Sequence, residues 1–448
     1  MIAEIKERIA EHTARGLAGA VNQAIRDGVL IPGTKLPPVR QVADGLGLSP
    51  TTVNAAWQLL ARSGVLHADG RRGTTVADPR PTGPRRYWQA GGRVADIGLD
   101  LATSEPDPAL LPDLGPALSR LHTTPPGAYL DDSVLPALEG LLRERWPYPV
   151  EQLTVVDGAM DAMDLLAASL LRIGDRVVVE DPAFPHLIDL LDVLGTQVIG
   201  VPLDGEGPRP DRLRDVLESS KPAAVFLQPR AHNPAGISWT PQRAAELASV
   251  LAEFPGSVVI EDDAGGDVAA APPISLGTWL PDRTIHIHSF SKAYGPELRL
   301  AAMGGPATLI GPVVERRLLG QGWTSRLLQN LLLNLLTDEH SVAQVQHARQ
   351  EYRRRRDAVT EALAVEGIQL APGDGINLWL PVHDEQVALI SLASHGIGAI
   401  AGTGFMIDLS PGQIPHVRIA VGLAATGHAE LAHHLAIAAR AGRRSRPR

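Results

Sequence analysis

From Ile97 onward, apolar strand-like runs alternate with helical stretches, and this alternation constrains the fold more than any other feature of the chain. The spacing predicts strands over Leu153–Val156, Arg176–Glu180, Gln197–Val201, Ala224–Gln228, Val258–Asp262 and Thr284–Ser289. Helices are predicted between them, over Met160–Arg172, Asp211–Ser219 and Pro241–Phe254. Such alternation belongs to the α/β class and implies a mostly parallel sheet covered on both faces. Ligands of these sheets bind beyond the carboxyl ends of the strands. The residues that follow each strand are therefore where chemistry should lie.

Five successive strand ends carry it. Asp157-Gly158-Ala159-Met160 opens a helix whose first amides can bind a phosphate. Asp181-Pro182-Ala183-Phe184 supplies an aromatic ring, and the turn Pro229–Gly236 supplies the amide of Asn233. Glu261-Asp262-Asp263 places carboxylates at the end of a buried strand. The last strand leads into Ser289-Phe290-Ser291-Lys292-Ala293-Tyr294-Gly295-Pro296-Glu297-Leu298-Arg299. A desolvated lysine near other cations loses its proton readily and attacks aldehydes. Hydroxyls and an arginine suit a phosphate. Pyridoxal 5'-phosphate (PLP) carries both groups. Taken alone, the lysine stretch reads more simply as a surface turn; the other four strand ends tip the balance toward a cofactor site.

The first 78 residues differ in kind. They hold nine Lys and Arg against seven Asp and Glu, whereas the remainder holds 32 against 43. A basic segment on an acidic body is a mild pointer to nucleic acid. Apolar spacing predicts helices over Ala14–Gly28, over Val39–Leu46, and from Pro50 to about Ser63, the last capped by Ser49. Val65–His67 and Gly73–Val76 flank a turn at Asp69-Gly70 and read as a β-hairpin. Residues 79–96 are rich in Pro, Gly and Arg and read as a linker. The 448 residues contain no cysteine, which excludes disulfides, thiol catalysis and Cys-built zinc sites. With a charged N-terminus and no apolar run of about 18 residues, the expected location is the cytoplasm.

Three helices and a hairpin make a winged helix-turn-helix, and here specific motifs appear. Gly28-x-x-x-Pro32-Gly33-Thr34-x-Leu36-Pro37, Val39-Arg40-x-Val42-Ala43, Leu48-Ser49-Pro50-Thr51-Thr52-Val53 and Gly73-Thr74-x-Val76 resemble the DNA-binding domain of GntR-type regulators. That resemblance implies double-stranded DNA as partner, with Arg40, Ser49, Thr51, Thr52 and Asn54 as contacts and Arg71 and Arg72 in the wing. Pro50 stands where the family usually has a basic residue.

The order of strand-end motifs over 97–448 resembles class I aminotransferases of PLP fold-type I. The resemblance implies that Lys292 forms the internal aldimine, Asp262 pairs with the pyridine nitrogen, Asn233 donates to the ring oxygen and Phe184 stacks on the ring. It implies a phosphate held by Ser289, Ser291, Arg299 and the backbone of Gly158 and Ala159, with Tyr129 reaching the neighbouring subunit's phosphate. Arg418, in Pro415-His416-Val417-Arg418, falls where a substrate carboxylate is bound. The departures are Ala264 in place of a tyrosine, Asp157 in place of a serine or threonine, and Val134 and Glu139 in place of a glycine and an arginine. They argue for binding more than for turnover.

The combination resembles the MocR subfamily of GntR-type regulators. It implies a homodimeric, PLP-binding transcription regulator that senses PLP, an amino compound, or both; a functional aminotransferase carrying a DNA-binding domain is the alternative. Three further signals carry less. His286 and His288 share a strand face, but no third metal ligand is evident, so packing is expected and no metal. Arg353–Arg356, in a predicted helix over Ser341–Val365, reads as a solvated or subunit-facing surface. Leu327–Leu336 reads as core or dimer interface.

Overall fold

The computed structural model describes residues 1–9, 11–62, 65–69, 73–77, 86, 97–121, 132–409 and 412–442. Two compact units divide the chain: Met1–Gly83 with Arg172–Asp175 and Leu190–Gln197, and Pro84–Leu171 with Arg176–Asp189 and Val198–Arg448.

In the N-terminal unit, helices Ala14–Arg26, Val39–Leu46 and Pro50–Arg62 are followed by strands β1 (Leu66–Asp69) and β2 (Gly73–Val76). The strands are antiparallel, with Leu66 opposite Val76. Leu17, Val21, Val42, Leu46, Val53, Trp57 and Leu60 fill one core, as the helical spacing requires. Gly47 ends the second helix in the left-handed region (φ 67°), a conformation that favours glycine. Two features went unread in the sequence. Ile2–Lys6 is a short helix that buries Ile5. The turn-rich connector also pairs with the wing, Leu36 N–H donating to Thr74 O at 2.8 Å and Val76 N–H to Thr34 O at 2.9 Å.

The large unit opens with β3 (Leu99–Asp100) and builds an eight-stranded sheet. Its strands are β4 (Gln152–Val156), β5 (Arg176–Asp181), β6 (Gln197–Asp204), β7 (Gly207–Pro208), β8 (Ala224–Leu227), β9 (Val258–Asp263), β10 (Thr284–Ser289) and β11 (Ala301–Gly305). Their order is β4-β11-β10-β9-β8-β5-β6-β7. β5, β8, β9 and β10 are mutually parallel, so the mostly parallel sheet is as expected. β11, unread because Ala301–Gly305 is short and glycine-rich, enters antiparallel between β4 and β10. Its register sets Ala301 opposite both Val156 and Ser289.

A second sheet of β12 (Asn377–Pro381), β14 (Ile400–Ala401) and β15 (His416–Ala420), with β13 (Ile397–Gly398) paired to β3, forms the C-terminal subdomain. Leu378, Leu380, Val417 and Ile419 pack there against the long helix Glu339–Val365 and the helix His428–Arg440. That long helix corrects the reading of the arginine run. Arg353 and Arg354 are exposed, but Arg355 and Arg356 are buried. Arg355 reaches Asp107 at 2.7 Å and Glu351 at 2.9 Å, and Arg356 donates to the carbonyl of Asn377. A guanidinium can be buried when such acceptors are in place. In helix Arg326–Thr337, Leu331, Leu332, Leu335 and Leu336 are core while Leu327 is exposed. Among the described residues, no helix is long and apolar enough to cross a membrane.

Candidate functional site

β9 delivers Asp262 into the interior at the sheet's carboxyl end. Burial pushes its carboxyl up to about 6, against a hydrogen bond from Gln228 and the charge of Lys292, which pull it down. Gln228 Nε2 donates to Asp262 Oδ2 at 2.6 Å, and its side-chain oxygen accepts the Asn233 N–H at 2.8 Å. Gln228 N–H in turn donates to Glu180 Oε2 at 2.7 Å. Gln228 stands at a strand end, directly before the Asn233 turn, and that position is the one sequence signal of its role.

Glu180, Phe184, Gln228, His232 and Asp262 line one small, narrow cavity. Three buried polar atoms in this region, Asp262 Oδ1, Asn233 Oδ1 and Glu180 Oε1, have no hydrogen-bond partner among the described residues, while His232 Nε2 lies 3.4 Å from Glu180 Oε2. Buried polar atoms are rarely left so, and a cluster of them asks for a polar occupant. Phe184, half-buried, presents its ring to this cavity and stacks on His186 at 4.8 Å.

Lys292 follows β10 in the one-turn helix Ser291–Tyr294. Burial lowers its amine below the usual lysine range; Asp262 and Asp263 oppose this and Arg418 adds to it. A lysine so placed holds its neutral, nucleophilic form more readily than one in water. Arg418, on β15, is fully buried and donates to Ser104 Oγ and the Ala102 carbonyl, with Asn377 Oδ1 at 3.4 Å. Ser104 and Asn377 lie too far away in sequence to be associated with Arg418 beforehand.

A second cluster forms where β4 ends. Gly158 caps helix Ala159–Leu170 with φ 110° and offers no side-chain acceptor, so the first-turn N–H groups are left for a ligand or water. A Cβ at Gly158 would lie 2.9 Å from Arg299 Nη2, so glycine allows the guanidinium to close over the helix start. Arg299 itself has φ 49° and donates to Asp157 O at 3.4 Å. Ser289 Oγ accepts the Ser291 N–H at 3.4 Å. Asp157 turns its carboxylate to Gln321 Nε2 and to Arg317, 3.5 Å away. Tyr129, Arg71 and Arg72 lie outside the described residues.

His286 and His288 do have a third group beside them: Asp263 brings one carboxylate oxygen within 4.8 Å of both rings. Arg230 is ion-paired with that same carboxylate, so positive charge already sits where a metal cation would be needed. His288 also meets Asp267 at 3.5 Å, and His286 meets Glu261 at 2.8 Å. The cluster reads as a closed network of polar contacts centred on the buried Arg230–Asp263 pair.

In the N-terminal unit, Arg40, Ser49, Thr51 and Asn54 are exposed and Thr52 is half-buried. The Ser49 hydroxyl is already engaged as a cap, accepting the Thr52 N–H at 3.0 Å and lying 2.8 Å from Thr52 Oγ1.

Comparison with known proteins matches residues 96–436 to the aminotransferase class I and II family and residues 13–76 to bacterial regulatory proteins of the gntR family. The chain is 36% identical over 408 residues to the vitamin B6 salvage pathway transcriptional repressor PtsJ of Salmonella typhimurium, covering 88% of this chain and 92% of that protein. It is 27% identical over 430 residues to the HTH-type pyridoxine biosynthesis transcriptional regulator PdxR of Corynebacterium glutamicum, covering 90% and 91%. Among solved structures, the alpha-aminoadipate aminotransferase LysN of Thermus thermophilus superposes with a TM-score of 0.69 at 23% identity, over 80% of this chain and 95% of that one. The last likeness shows the fold. Together these findings show that the chain belongs to the GntR-type transcriptional regulators whose large domain is of the aminotransferase class I and II family.

Proposed function

We propose that this regulator, of the MocR type, binds DNA through its winged helix and PLP through its large domain, and that occupancy of the second site governs the first. The observation that carries the reading is the set of unpartnered buried oxygens at Asp262, Asn233 and Glu180, beside a lysine whose amine burial favours in neutral form. Lys292 would hold the cofactor aldehyde, Asp262 its ring nitrogen, Asn233 its ring oxygen and Phe184 its face. Arg299, Ser289, Ser291 and the first amides of helix Ala159–Leu170 would hold its phosphate, with Tyr129 contributed across a homodimer. When bound, PLP supplies an electron sink. The protein's part is to exclude water from Lys292, keep Asp262 ionised and orient an amino compound's carboxylate on Arg418.

The relatives named for vitamin B6 salvage and pyridoxine biosynthesis favour a B6 vitamer as effector. On DNA, Arg40, Thr51, Thr52 and Asn54 would contact the duplex directly; Ser49 would contribute mainly by setting the helix start. Arg71 and Arg72 would track the backbone. The domains are taken as 1–78 for DNA, 79–96 as linker and 97–448 for effector and dimer, and the location as cytoplasmic. A working aminotransferase is the second reading, favoured by the burial of Arg418 near Lys292 and opposed by Ala264, which cannot hydrogen-bond the ring oxygen. The test is PLP titration of the wild type and Lys292→Ala. Saturable binding with a visible absorption band, lost in the variant, supports the reading; no band in the wild type overturns it. Spectral cycling with a panel of amino acids would select the enzyme reading.

A further inference from the structure

The start of helix Ala159–Leu170 carries acidic groups where an anion is to be bound. Asp157 precedes the Gly158 cap, and Asp161 Oδ2 accepts the Asp157 N–H at 3.0 Å. Both acidic residues therefore flank the first turn of the helix, and Arg299 reaches the same place through the Asp157 carbonyl at 3.4 Å. Negative charge there is attracted by the same helix end that would attract a phosphate, and it repels that phosphate. Asp157 is restrained from outside: Gln321 donates to its Oδ2, and Arg317, anchored on Val155 O at 2.6 Å and Thr324 Oγ1 at 2.8 Å, lies 3.5 Å from the same oxygen.

We propose that Asp157 sets the affinity of the large domain for the phosphate of its ligand, holding it low enough for release, and that Arg317 partly offsets its charge while Gln321 holds the carboxylate in place. The inference rests on the PLP site described above. It makes the site an exchangeable one: ligand occupancy then follows ligand concentration, as a sensor requires. A permanently filled site could report nothing.

The experiment measures dissociation constants of PLP and of unphosphorylated pyridoxal for the full-length wild type, Asp157→Ser, Asp157→Asn and Gln321→Ala, by quenching of intrinsic fluorescence and equilibrium dialysis. Removing one negative charge beside a phosphate is expected to tighten PLP about tenfold or more in Asp157→Ser and Asp157→Asn, while pyridoxal changes less than about twofold. Gln321→Ala, which leaves Asp157 less restrained, is expected to weaken PLP. Thermal melts without ligand report any loss of fold. A structural role for Asp157 would instead weaken both ligands, and that result, or unchanged PLP affinity in both Asp157 variants, overturns the proposal. Absence of any saturable PLP binding in the wild type would overturn the underlying cofactor site instead, so the two failures are distinguishable.

Discussion

Gln228 and Asp262 are joined by a 2.6 Å hydrogen bond that occupies one carboxylate oxygen and leaves the other facing the cavity. Gln228 thus orients the carboxylate and, by donating to its ionised form, opposes the effect of burial. With the Asp262 carboxyl at about 6, acidification protonates it and removes the anion that would meet a cationic ring nitrogen. PLP affinity should therefore fall as pH drops through about 6. Gln228→Leu should move that midpoint upward, and Asp262→Asn should abolish the dependence. Affinity that stays flat from about pH 5 to 8 in the wild type would remove Asp262 from this role.

Gly158→Ala forces a side chain into φ 110° and toward Arg299. The strain should cost about 1–3 kcal/mol, seen as a lower unfolding temperature. Displacement of the guanidinium should also weaken PLP more than pyridoxal. Equal weakening of the two ligands would dissociate Arg299 from the phosphate.

In the N-terminal unit, capping and contact can be separated. Ser49→Ala removes the acceptor for the Thr52 N–H and should destabilise the unit by about 1 kcal/mol. Arg40 is exposed, so Arg40→Ala should leave stability within about 0.5 kcal/mol yet weaken DNA and reduce the salt slope by about 1. Footprints and salt slopes unchanged by Arg40→Ala and Thr52→Ala would set aside this face as the DNA-binding surface.

His288 gives a stability signature in alkali. Burial works against its charged form, but Asp267 and Asp263 overcome this and raise the ring to about 9. The folded value lies above the unfolded one, so the contribution is complete below the ordinary histidine range. It is lost as pH rises from about 6.5 through 9. Denaturant midpoints should decline across that window, and His288→Gln should flatten the decline. The same slope in the variant would assign the effect to another group.

The sequence revealed most about what sits at each strand end, because those residues are punctuated by strand periodicity and turns: Lys292, Asp262, Asn233 and Gly158 were all found this way. It revealed least about groups joined only by tertiary contact. Ser104 and Asn377 approach Arg418 from more than 40 positions away, with no local pattern linking them. The burial of Arg355 and Arg356 was misread because exposure within one helical turn depends on what packs against it; here Asp107 and the carbonyl of Asn377 supply the acceptors. β11 was missed because four small residues around Met303 carry no periodic signal.

That strand ties together two parts of the candidate site. Ala301 lies beside Val156 on one side and Ser289 on the other, so the segment turning back from Lys292 must begin β11 level with the end of β4. A slip of β11 by one position would carry Arg299 away from Gly158 and stretch the lysine turn at the same time. Length changes between Ser289 and Ala301 should therefore be far less tolerated than sequence changes there. The grip on the aldehyde and the grip on the phosphate are set by one alignment, and neither can be shifted alone.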